Sequence, residues 1–149
     1  MKIIAMRPPK IAMALLATAF ALHWLSPIWE TLKFSFPLAG VGIGSLGFAI
    51  MMWGWWLFRQ HKVAICPTAH TDKLIFDGPY RFTRNPMYLG MVAMLLGVAI
   101  FVGTLPFFLG VVIYFVILNR VFVPFEEQKL ESTFGSEYLE YRRQIRRWF

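Results

Sequence analysis

Apolar runs long enough to cross a bilayer constrain this chain more than anything else in it. A helix rising about 1.5 Å per residue needs roughly 20 apolar residues to cross a hydrocarbon core near 30 Å. Ile11 to Trp29 and Leu38 to Phe58 meet that length, and Met87 to Gly103 and Leu105 to Phe125 follow with only Thr104 and its neighbours between them. So short a separation predicts a tight helical hairpin with Gly103 and Pro106 at its tip. We therefore expect a single all-α membrane domain over residues 1–149. It would have four transmembrane helices, a long cytoplasmic loop and an amphipathic C-terminal helix.

Composition agrees. The chain is 58% hydrophobic and 15% charged, with a mean hydropathy of +0.56, whereas soluble domains are about 25% charged. The net charge of +7 does not point to nucleic acid, because nearly all basic residues lie at the two ends or between Arg59 and Arg84. Lys2, Arg7 and Lys10 flank the first run; Arg59, Lys62, Lys73, Arg81 and Arg84 fill the middle loop; Arg142, Arg143, Arg146 and Arg147 follow the last run; only Lys33 falls on the other side. That bias predicts a multi-pass protein of the inner (plasma) membrane with both termini and the long loop in the cytoplasm. No small-residue cleavage site follows the first basic residues, so the first run reads as a retained helix. Trp53, Trp55 and Trp56 beside Arg59, and Trp24 and Trp29 opposite, suit interfacial aromatic belts. The single cysteine, Cys66, excludes an intramolecular disulfide and a cysteine-cluster metal site, and the scatter of His23, His61 and His70 argues against any metal.

Gly40, Gly44 and Gly47 form a small-residue stripe that lets another helix approach closely, within the chain or from a second copy. After Pro124 the apolar positions Leu130, Phe134, Tyr138, Tyr141, Ile145 and Trp148 recur at steps of four and three. They predict one amphipathic helix over about residues 126–147, lying at the interface. Glu126, Glu127 and Glu131 near its start and the arginines near its end complement the helix dipole, and those arginines would meet anionic headgroups.

Chemistry concentrates in two places. Gly78-Pro79-Tyr80-Arg81-Phe82-Thr83-Arg84-Asn85-Pro86-Met87-Tyr88 gathers charge, turn residues and aromatics between apolar runs. Before it, Leu74, Ile75 and Phe76 supply anchors by which the loop packs onto a scaffold. Asn85 and Pro86 suit an N-cap and a first helical turn, which leaves Arg81 and Arg84 unexplained. The second place is Asn119, Arg120, Glu126 and Glu127 at the end of the fourth run, where ionisable groups are costly unless paired or hydrated. A hairpin brings Arg84 and Glu126 to the same face. They form either an interfacial ion pair or part of a pocket for a small charged ligand.

Gly78, Tyr80, Arg84, Asn85, Pro86 and Tyr88, then Glu126 and Glu127, then Leu130, Phe134, Gly135, Tyr138 and Tyr141 together resemble a known signature. It is that of integral membrane methyltransferases of the isoprenylcysteine carboxyl methyltransferase and phospholipid methyltransferase group, matched from about Leu74 to Tyr141. The resemblance implies S-adenosyl-L-methionine as cofactor, held without a Rossmann domain by Asp72, Lys73, Leu74, Ile75, Tyr80, Asn85, Pro86, Met87, Tyr88 and Glu126. Arg84, Glu126 and Glu127 would be the catalytic residues. The acceptor would be lipophilic, an isoprenylcysteine-like carboxylate or a phospholipid amine. Consistently, no Gly-rich strand-turn-helix fingerprint is present. The chain departs from the carboxyl methyltransferases at Asn85, where they have histidine, and at Phe122, where they have a substrate-contacting arginine. Arg120 is displaced by two positions, about 200° around a helix, which argues against a prenylcysteine carboxylate. Two rivals are a small four-helix carrier and an inactive scaffold of the same fold. A carrier is expected to hold an ionisable residue at mid-membrane, and the central portions of these runs hold none. Neither the oligomeric state nor the acceptor is legible.

Overall fold

Proline marks where most helices begin. The structure, a computed structural model, describes residues 7–26, 28–31, 33–62 and 73–148. Lys2, Cys66, His70 and Asp72 lie outside the described residues. In order come α1 (Pro8–Leu25), a single turn α2 (Ile28–Thr31), α3 (Pro37–Gln60), α4 (Pro86–Val102), α5 (Leu105–Ile117), α6 (Val123–Phe134) and α7 (Ser136–Gln144). A proline stands at the first or second residue of α1, α3, α4 and α5. The first helical turn has no internal partner for its N–H groups, so a residue without one and with φ preset suits it. Among the described residues there is no strand.

α3 and α4 pack backbone against backbone. A Cβ built on Gly40 would stand 2.6 Å from the Gly97 carbonyl oxygen, and one on Gly97 2.6 Å from that of Gly40. Gly47 and Gly90 repeat the relation nearer the other end, at 2.7 and 2.6 Å. The glycine stripe thus serves contact within the chain, between its second and third apolar helices. α4 and α5 form the expected hairpin: Gly103 takes φ +78°, and its N–H bonds the Ala99 carbonyl at 2.7 Å, a left-handed stop that glycine adopts without a Cβ penalty. The 33–36 segment docks on this tip through Phe34 N–H to Gly103 O at 2.8 Å and Phe36 N–H to Ile100 O at 3.0 Å. A core of Ile11, Tyr88, Leu95, Tyr114, Leu118, Phe122 and Val123 joins α1, α4 and the α5–α6 helix.

Among the described residues two helices are long and apolar enough to cross a membrane: α3, and the continuous helix Leu105–Phe134 that contains α5 and α6. Only 17% of the most apolar window of α3 is buried, and 33% of that in the longer helix. A helix in the core of a soluble protein hides most of such a surface. Here Leu38, Val41, Leu46 and Phe48 on α3, and Leu109, Val112, Ile113 and Val116 on α5, face outward. α4 is apolar but shorter, at 17 residues.

Three expected boundaries differ. The first run does not continue to Trp29: α1 ends at Leu25, Ser26 is extended, and Trp29 folds back to donate its indole N–H to the Leu22 carbonyl at 3.0 Å. The fourth run does not stop at Phe125 either. It passes through a π-helical turn, Leu118–Phe122, and goes on to Phe134. Pro124 explains the turn, since it has no N–H for the Arg120 carbonyl and its ring crowds that group; wider winding relieves the crowding, with the Val123 N–H bonding Leu118 instead. Finally, the helix expected over residues 126–147 is divided. The chain turns at Gly135, with φ +53° and ψ −121°, and leaves the helix at Ile145, whose backbone is extended.

Candidate functional site

Arg84 sits in the short connection between a 3₁₀ turn, Gly78–Arg81, and α4. That connection is held from both sides. Ile75 packs with Leu57 and Tyr80, Phe76 meets Tyr141 edge-on at 5.0 Å, and the Tyr141 hydroxyl donates to the Tyr80 carbonyl at 2.8 Å. Of the expected anchors, Ile75 and Phe76 thus pack the loop onto the scaffold. Asn85 occupies the N-cap position of α4 without a side-chain capping bond. Its amide donates instead to the Arg147 carbonyl at 3.0 Å.

The glutamates arrive from α6. Arg84 pairs with Glu127, not Glu126: its Nη1 donates to Glu127 Oε1 at 2.7 Å and to the Tyr138 hydroxyl at 3.1 Å. Both side chains are about one-tenth exposed. Arg147 takes the same carboxylate with two donors, Nε to Oε1 at 3.1 Å and Nη2 to Oε2 at 2.6 Å. Glu126 is bonded by the Tyr88 hydroxyl. Breaking a buried ion pair by removing one member costs about 3–5 kcal/mol, so Glu127 is a structural necessity for Arg84. One atom of this network is left over: the Nε of Arg84 is buried and has no hydrogen-bond partner among the described residues. A buried donor of that kind calls for an acceptor.

These groups line a cavity of about 360 Å³, within the range of small-molecule sites. Tyr80, Arg84, Asn85, Met87, Tyr88, Glu126 and Glu127 all border it. Lys73, Leu74 and Ile75 do not; Ile75 is committed to the packing beneath Tyr80, and Lys73 is exposed. Pro86 is buried at the head of α4 and shapes that helix rather than the wall. The cavity also uses residues that sequence reasoning missed as site groups: Arg7, Phe58, Met91, Lys129, Tyr138 and Tyr141. Tyr138 and Tyr141 stood in the apolar stripe, three residues apart on one helix face, which was the available signal. Burial pushes the phenols of Tyr80, Tyr138 and Tyr141 above their ordinary value, Tyr80 further through neighbouring Tyr141 and Glu126. All three stay neutral hydroxyls at neutral pH. Phe122, in the place of an expected arginine, is fully buried in the core, and Arg120 is exposed.

A second, almost wholly apolar groove of about 590 Å³ runs between α1 and α3 over α4, and it shares Pro9 and Met91 with the first cavity.

The family model described as phospholipid methyltransferase matches residues 36–137, about two thirds of the chain. The chain belongs to this family. An uncharacterized protein of Haemophilus influenzae is 39% identical to it over 62 residues, covering 42% of this chain and 98% of that protein. No solved structure matches. Membership makes this a methyltransferase family protein, points to lipid-like acceptors, and agrees with the outward apolar faces of α3 and α5. Tyr80, Arg84, Tyr88 and both glutamates fall inside the matched stretch, whereas Arg7, Tyr138, Tyr141 and Arg147 fall outside it.

Proposed function

We propose that the protein transfers a methyl group from S-adenosyl-L-methionine to a lipophilic acceptor at the cytoplasmic face of the membrane. The observation that carries this reading is a mainly apolar, aromatic-walled cavity that holds Arg84 and both glutamates at its wall, beside an apolar groove that shares Pro9 and Met91 with it. The residues fit the cofactor's chemistry: the partnerless Arg84 Nε–H suits a carboxylate, Glu126 suits an ammonium or a sugar hydroxyl, and Phe58, Tyr80 and Tyr88 offer aromatic faces to an adenine and a cation. When bound, S-adenosylmethionine supplies an electrophilic methyl group on a positively charged sulfur.

The protein's own contribution would be placement. Holding two reactants in line accounts for a large share of the barrier in such a transfer, and the cavity and groove meet at Pro9 and Met91. A carboxylate acceptor needs no base. An amine must first lose a proton, and Glu126 is the carboxylate at the wall available to take it. Arg120 is exposed and does not border the cavity, and Phe122 is packed, so no arginine from this turn lines the site for an acceptor carboxylate. A phospholipid-type amine is the better substrate class. In this reading α1, α3, α4 and the α5–α6 helix each cross the bilayer, and the long loop and both termini lie in the cytoplasm.

Calorimetric titration of the purified protein in detergent with S-adenosylhomocysteine tests the proposal, with Glu126→Gln as the control. Saturable binding that the variant loses supports it. A well-folded parent that binds nothing refutes it.

A further inference from the structure

The 145–148 segment is not part of any helix, yet it is bonded to the Arg84 connection, to Glu127 and to the π-helical turn. Its backbone is fastened to the Arg84 connection: the Arg84 N–H bonds the Arg146 carbonyl at 3.0 Å, and the Thr83 hydroxyl and Asn85 amide both bond the Arg147 carbonyl, at 2.9 and 3.0 Å. Its side chains are fastened to the other wall. Arg147 Nη1 and the Trp148 indole N–H both donate to Asn119 Oδ1 in the π-helical turn, at 3.3 and 3.0 Å, and Trp148 packs on Phe115 of α5 at 5.1 Å.

Arg147 is therefore gripped by its backbone on one side and by its guanidinium on the other. Its Nε and Nη2 present a two-pronged fork to the two oxygens of Glu127, the geometry that fixes a carboxylate in one orientation. Arg84 reaches the same carboxylate with a single nitrogen, Nη1. Arg147 also shares the Glu127 carboxylate with Arg84, so the glutamate does not answer to Arg84 alone.

We propose that Arg147 is a positioning residue, which pins Glu127 and through it holds the Arg84 guanidinium at the wall for a carboxylate in the cavity. It does not itself border that cavity; it acts through Glu127. Arg147 lies ten residues beyond the stretch matched by the family, so nothing in membership assigns it this task. The ligand concerned is an amino-acid carboxylate, and the inference rests on the cavity being the S-adenosylmethionine site.

The test compares two probes on the full chain in detergent. S-adenosylhomocysteine carries the carboxylate; 5′-methylthioadenosine shares its adenosine but lacks the amino-acid part. Arg147→Gln should weaken the first by about tenfold or more, the loss of one charge-assisted hydrogen bond, and change the second less than twofold. Arg147→Lys, which keeps the charge but not the fork, should recover only part of the loss. Equal weakening of both probes would mean that the segment merely holds the fold together, and no weakening of either would mean that Glu127 needs no pin; each overturns the proposal. A parent that binds neither probe refutes the cofactor reading instead. Thermal unfolding of Arg147→Gln, Glu127→Gln and the double variant then decides the pin alone: non-additive shifts sustain it and additive shifts reject it.

Discussion

Adding one methyl group at Gly90 should force two helices apart at the level of the cavity. The new Cβ would lie 2.6 Å from the Gly47 carbonyl oxygen, 2.8 Å from the Met51 nitrogen and 2.9 Å from the Met51 Cβ. The two nearest are backbone atoms of α3, which no side-chain rotation can move away. Relief to the roughly 3.5 Å of an ordinary contact needs a displacement of about 1 Å, and a gap of 0.5–1 Å already forfeits a quarter to a half of each dispersion contact. Alanine gains about 1 kcal/mol of helix propensity over glycine, against an overpacking cost of about 1–3 kcal/mol and the loss of contact along the helix pair. Gly42 on the same α3 supplies the control, because a Cβ there meets nothing within 4 Å. Gly42→Ala should be neutral or stabilising and Gly90→Ala destabilising, a separation of about 2–3 kcal/mol, or roughly 5–10 °C in unfolding midpoint for a chain of this size. The same displacement carries Met87, Tyr88 and Met91 of α4 away from Phe58 of α3 across the cavity, so S-adenosylhomocysteine binding should fall in Gly90→Ala and hold in Gly42→Ala. Thermal unfolding in detergent and calorimetry read both. If Gly90→Ala melts at or above Gly42→Ala, the close approach of α3 and α4 described above is wrong.

Tyr141→Phe removes the hydroxyl that satisfies the buried Tyr80 carbonyl; about 1–2 kcal/mol of stability should be lost, seen as a lower unfolding midpoint. Gly135→Ala meets no atom within 4 Å but forces an alanine to φ +53°, so about 1–3 kcal/mol of purely conformational cost is expected, and an asparagine there should recover part of it in the same melt. Phe122→Arg would seem to restore the arginine of the carboxyl methyltransferases. Because Phe122 is fully buried among Leu118, Val123 and Tyr114, an unpaired charge there should instead prevent folding, read as aggregation in size-exclusion chromatography rather than as a new substrate preference.

Much of the architecture was legible because its causes are local. Pro86 announces the start of α4, Gly103 announces the hairpin, and a glycine stripe announces close packing, although only the structure says against which helix. The meeting of the Arg84 connection with the glutamate pair follows from that hairpin. Which glutamate takes the arginine does not, since neighbours on a helix point about 100° apart and the winding of the π-helical turn lies between Gly103 and both of them. Continuation of the helix through Pro124 was hidden for the same reason: a single residue in the wider turn relieves a clash that normally breaks a helix. Arg147 was the least visible of all. Four arginines near one another read as a solvated, headgroup-facing set, and Ile145 and Trp148 continue the apolar stripe of a helix that in fact ends at Gln144, so no signal singled out Arg147.

The π-helical turn also bears on how a sequence of this kind is free to drift. Relative to an α-helix it holds an additional residue, so the direction in which Glu126 and Glu127 face depends on chain length between Gly103 and the pair. Outward positions such as Leu109, Val112 and Val116 tolerate exchange among apolar residues, because they touch little of the protein. Insertion or deletion of one residue anywhere between Gly103 and Glu126 is another matter: it would swing both carboxylates by about 100° while leaving the hydropathy profile almost unchanged. Spacing, more than residue identity, is what selection has to guard along this helix.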